Sequence, residues 1–110
     1  MEFTYLSIID DFDARKIYEN IYAYSRGMHN SKEVRNIGGK ADNIHHQWRE
    51  EIIEFLELQT KVKLTYYSSP NELPGKELAL HTLEIEISGE EQVREDTIKT
   101  LERITGIDIE

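Results

Sequence analysis

Between Arg26 and Arg49 the chain gathers the side chains with the clearest capacity for chemistry. Arg26, Lys32, Arg35, Lys40 and Arg49 stand there against Glu33 and Asp42, a local charge of +3 inside a chain whose formal net charge is -9. Gly38-Gly39-Lys40-Ala41-Asp42 reads as a glycine-bearing loop running into a helix N-terminus, where free backbone N–H groups attract an anion. Arg26, Lys32, Arg35, Lys40, His45, His46 and Arg49 are therefore expected as an anion- or nucleotide-binding set, with hydrolytic chemistry as an extension of it. Two features weigh against that expectation. Gly-Gly-Lys lacks the full spacing of a phosphate-binding loop, and the Asp42 carboxylate competes for the same N–H groups. Asp42 and His46, or His46 and Glu50, stand four apart on the expected helix, but no His-Glu-x-x-His pattern and no cysteine supports a metal centre, and no cofactor is called for. No Gly-x-Ser-x-Gly turn marks a serine nucleophile, so an enzyme is the less favoured reading.

The larger charge feature is negative. Outside the basic segment the remaining residues sum to -12, with 22 acids in the chain against 13 Lys and Arg. General nucleic-acid binding needs a basic footprint that is missing here. The favoured expectation is a small acidic protein-binding domain, an inhibitor, immunity protein or regulator of a basic partner such as a nuclease or toxin. Its expected contacts are Glu84 and Glu86 on a strand, Asp10, Asp11 and Asp13 ahead of the first helix, and Glu90, Glu91, Glu95 and Asp96 on the last. Complementary charge of this kind speeds encounter and selects partners more than it adds raw affinity.

These groups need elements to hold them. Leu83-Glu84-Ile85-Glu86-Ile87 alternates with period two, as a half-buried strand does. Ser88 with Glu91 three residues on predicts a capping box, followed by a helix with Val93, Thr97, Leu101 and Ile104 on one stripe and Gly106 as its C-terminal cap. At the other end Glu2 to Ile9, apolar on both parities, predicts a central strand. Ala14, Ile17, Ile21 and Tyr24 then mark a helix ending near Gly27. Residues 28–41 lose periodicity and predict a long basic loop. Ile44, Trp48, Ile52 and Phe55, widened by Ile53 and Leu56, predict a second helix from Asp42 to about Leu58. Val62, Leu64 and Tyr66 alternate with Lys61, Lys63 and Thr65 as an edge strand guarded by lysines. Residues 68–76, with Pro70, Pro74 and Gly75, form a polar loop, and Ile107-Asp108-Ile109 a last short strand.

The order is then strand, helix, helix, strand, strand, helix, strand within one α+β domain spanning 1–110. Taking the first two helices as one crossover gives the ferredoxin-like split βαβ sandwich: a four-stranded antiparallel sheet, the first and third strands central, and all helices on one face. An apolar patch on the open face favours a homodimer through the sheets. No apolar run approaches the roughly 18 residues that span a bilayer, and no secretory signal opens the chain, so a soluble cytoplasmic protein is expected.

Overall fold

The computed structural model describes residues 3–10, 12–27, 33–41, 48–69 and 80–109. The elements are β1 (Phe3–Ile9), α1 (Phe12–Gly27), β2 (Val34–Ala41), β3 (Trp48–Phe55), β4 (Thr60–Ser69), β5 (Leu80–Ser88) and α2 (Glu91–Thr105). The five strands form one antiparallel sheet in the order β1-β5-β4-β3-β2. Strands β2 to β5 are a meander of neighbours, and β1 closes the far side by pairing with β5. Helix α1 therefore carries the chain across the sheet from one edge to the other.

Both helices contribute to one core on one face of the sheet. Ala14, Ile17, Tyr18 and Ile21 of α1 and Ile98 and Leu101 of α2 meet Ile53 and Phe55, Val62 and Leu64, and Leu83, Ile85 and Ile87 from the three inner strands. These strand residues share a parity, as cross-strand partners must. The opposite face of the sheet carries no helix among the described residues.

The ferredoxin-like expectation fails on several points. The sheet has five strands rather than four, and Val34–Ala41, expected inside a loop, is the edge strand β2. The expected second helix is replaced by β3 over Trp48–Phe55. Its apolar residues satisfied a helical stripe only because β3 breaks strand alternation: Arg49 and Glu51 point toward the core, while Trp48 and Ile52 point to the open face. Strand β1 is an edge and not a centre, and β4, expected at an edge, is the middle strand. Residues 107–109 form no strand. Ile109 is instead buried at the rim of the core, and the Glu102 side chain accepts a hydrogen bond from its N–H at 3.1 Å.

The helix termini divide similarly. Gly106 adopts φ 71°, and its N–H bonds the Glu102 carbonyl at 2.7 Å, the left-handed cap expected from the sequence. The capping box does not form, because the N-cap is Glu90 without a side-chain bond. The Ser88 hydroxyl is engaged in the sheet instead, taking a bond from the Lys61 N–H at 3.0 Å and lying 3.1 Å from Thr60 Oγ1.

Candidate functional site

Four rings line up on the helix side of the sheet. Tyr22 and Tyr18 stand one turn apart on α1 with centroids 6.0 Å apart. Tyr18 stacks on Tyr66 of β4 at 5.0 Å, and Tyr66 on His81 of β5 at 5.8 Å, all within 20° of parallel. The i, i+4 spacing on the helix and the shared parity of Tyr66 and His81 bring the rings into register. The Tyr66 hydroxyl also shares a hydrogen bond with His81 Nδ1.

Two guanidinium groups cap the Tyr22 end of this row. Arg49, which stands opposite Tyr66 on β3, places its Cζ 5.2 Å from the Tyr22 centroid and 5.9 Å from that of Tyr18. Arg26 lies 5.3 Å from the Tyr22 ring. Cations over tyrosine faces gain from the ring quadrupole, by about 2 kcal/mol where water is excluded. The accompanying carboxylate is Glu51, only 4% exposed, which accepts from Asn36 Nδ2 at 2.7 Å and lies 3.8 Å from Arg26. Asn36 also fixes the bulge in β2, its Oδ1 accepting from the Gly38 N–H at 3.1 Å. Gly39 makes room for this arrangement, since a Cβ there would fall 2.4 Å from Glu51 Oε2 and 2.7 Å from the Glu50 carbonyl oxygen. The two glycines expected to cradle an anion thus serve a strand, and Gly39 accommodates a protein carboxylate.

Beside the ring row lies an open depression of about 280 Å³ lined by Arg15, Tyr18, Glu19, Arg49, Tyr66, Ser68 and His81. Two of its lining residues hold buried polar atoms with no hydrogen-bond partner among the described residues, the Tyr18 hydroxyl and Arg49 Nε. Leaving a buried donor unpaired costs about 1–3 kcal/mol. Burial pushes the Tyr18 hydroxyl up to about 12, with Arg49 opposing the shift and Glu51 adding to it. Burial likewise raises Tyr66 above the usual phenol value. Both phenols are neutral at ordinary pH.

The expected anion-binding set is divided by strand parity. Arg26 and Arg49 lie on the helix side, whereas Arg35 and Lys40 lie on the open face, Arg35 bonded to Glu54 at 2.6 Å and Lys40 5.9 Å from the Trp48 ring. Lys32, His45 and His46 fall outside the described residues. Arg15, Tyr18, Glu19, Tyr66, Ser68 and His81, the rest of the depression, were not in that set. A polar residue facing inward from an otherwise apolar strand parity, such as His81 beside Leu83, Ile85 and Ile87, is the signal that points to them.

The acidic set is divided too. Glu84 and Glu86 lie on the open face, opposite Thr65 and Lys63. Asp10 accepts from the Thr82 hydroxyl at 2.8 Å, and Asp13 lies in the first turn of α1, at the same end of β5. Glu90, Glu91, Glu95 and Asp96 follow Ser88 at the other end, roughly 20 Å along the strand. Glu91 pairs with Arg94 at 3.6 Å, and Asp96 accepts from Gln92 at 3.1 Å. Asp11 falls outside the described residues.

No three His, Asp or Glu side chains among the described residues are grouped to hold a metal ion. No described helix is long and apolar enough to cross a membrane. Comparison with protein-family models, curated proteins and solved structures returns no match, so function must be argued from these residues.

Proposed function

We propose that the chain is a small-anion-binding domain whose site is the depression beneath Tyr18 and Arg49. The observation that carries this reading is the pair of unpartnered buried donors, Tyr18 hydroxyl and Arg49 Nε, on residues lining the same depression. A carboxylate or phosphoryl oxygen satisfies both, and a charge-assisted bond to guanidinium is about twice as strong as a neutral one. Ser68 and His81 offer further polar contacts at the rim. Arg15 and Glu19 balance each other at 2.9 Å, so Arg49 sets the charge of the depression in a chain that is otherwise strongly acidic. The surrounding negative charge then disfavours bulky polyanions and leaves the site to small ones.

The test is a thermal-shift and calorimetric screen with inorganic phosphate, citrate and a nucleoside monophosphate. A ligand at a hundred times its dissociation constant adds about 2.7 kcal/mol of stability, a readily measured rise in melting temperature. Tyr18→Phe and Arg49→Leu are each expected to reduce affinity at least tenfold while the circular dichroism of the free protein is retained. No shift with any of these anions, or a shift that Arg49→Leu leaves intact, overturns the reading.

A further inference from the structure

The two outer strands of the sheet are finished differently. Strand β2 has Arg35 and Lys40 along it, two glycines, and a bulge that turns Ile37 outward. Charges and bulges are the usual means by which proteins keep an edge from pairing with other chains. Strand β1 reads Phe-Thr-Tyr-Leu-Ser-Ile-Ile, seven residues without a charge or a proline, and its register shift lies at its start, between Phe3 and Tyr5, leaving Tyr5 to Ile9 regular. It pairs on one side only among the described residues, with β5, and Ile8 is 54% exposed. Its outer N–H and C=O groups are a template for one more strand.

Charge on the open face selects the chemistry of that strand. Among the described residues the open-face cations are Arg35 and Lys40 on β2 and Lys61 and Lys63 on β4, flanking Glu50 and Glu54 on β3; Lys63 stands opposite Glu86 but pairs with Glu50 at 3.6 Å. The β5 side carries Glu84 and Glu86, and Asp10 beside Thr82, with no cation on β5 or β1. Glu86 and Glu84 lie directly inside Leu6 and Ile8 of the edge. A strand added outside β1 would stand about 10 Å from β5, two strand spacings, and a lysine or arginine stem laid over Ile8 spans most of that distance.

We infer that the outer edge of β1 receives an extended, basic segment of a partner protein as a sixth strand, with backbone bonds to β1 and cationic side chains directed toward Asp10, Glu84 and Glu86. This inference is independent of the anion site, which lies on the other face. A second copy of the chain is a poorer occupant, because its own edge brings the same carboxylates and repels them.

The probe is a labelled, end-blocked (Lys-Val)4 peptide titrated with the full chain and followed by fluorescence anisotropy. Binding is expected for this peptide and not for (Glu-Val)4. N-methylation of alternate peptide bonds on the pairing side weakens it at least tenfold, which a charge-only association does not show. Ile8→Lys weakens it at least tenfold as well, whereas Ile37→Lys on β2 leaves it unchanged. The inference is overturned if (Lys-Val)4 does not bind, if N-methylation has no effect, if Ile37→Lys weakens binding as much as Ile8→Lys, or if sizing with light scattering shows a wild-type dimer that Ile8→Lys dissolves.

Discussion

The β2 side of the sheet and the β1 side achieve order by opposite means. On the β2 side a buried carboxylate, Glu51, is surrounded by Asn36, Arg26 and the missing side chain of Gly39. On the β1 side the strand is neutral and its apolar Ile8 faces solvent. The first arrangement depends on several partners at once, because a buried charge is tolerated only while it is bonded. The second depends on the β5 ladder and on Ile9, which packs against the core on the face opposite Ile8. Substitutions should therefore be costly on one side and nearly silent on the other.

The sharpest test is Gly39→Ala. The added methyl must displace Glu51 or the β3 backbone, and overpacking of this kind costs about 1–3 kcal/mol, the upper end applying where backbone is in the way. Urea denaturation should show a lower midpoint with an unchanged slope, and equal stability to the parent would mean that the Glu51 arrangement is not tight.

A comparable effect is expected from pH alone. Tyr18 has a folded-state value near 12 against an ordinary phenol value of 10. Its contribution is thus intact below about pH 10 and is lost as pH rises from there through 12, for a total of about 2–3 kcal/mol. Melting temperature measured across that range should fall more steeply for the parent than for Tyr18→Phe, which has no such proton to lose. Parallel curves would disprove the assignment.

Smallest are the surface changes that isolate the two edges. Breaking the exposed Arg35–Glu54 pair by Arg35→Ala should cost at most about 0.5 kcal/mol. Ile8→Lys should leave stability within about 0.5 kcal/mol, as substitutions away from packed features usually do. A loss of 2 kcal/mol or more at Ile8 would mean that Ile8 itself helps to hold β1.

Where local pattern and burial agreed, the fold was legible in the sequence. Helix α1, the alternation of Val62 to Tyr66 and of Leu83 to Ile87, and the helix closed by Gly106 all follow from one apolar face and one polar face. The pattern misled where the molecule places charge inside. Arg49 and Glu51 on the core parity of β3, with Ile52 on the other, produced a helical stripe in what is a strand, and Gly38-Gly39 on β2 resembled a loop. Together these hid two strands, β2 and β3, and added one helix, and with residues 107–109 counted as a strand the expected four-stranded topology followed. Of these residues Arg49 also lines the candidate site. Of the site itself the sequence supplied Arg49. It could not supply Tyr18, Tyr66 and His81 as a unit, because their adjacency arises from strand order.

The chain also contains two separate optical reporters. Trp48, its one tryptophan, lies on the open face near Lys40. The Tyr22, Tyr18 and Tyr66 rings are stacked on the helix side. Tryptophan emission therefore senses the open face, and near-ultraviolet dichroism of the coupled tyrosines senses the core and the anion site, so the two faces of one sheet can be followed independently in a single unlabelled sample.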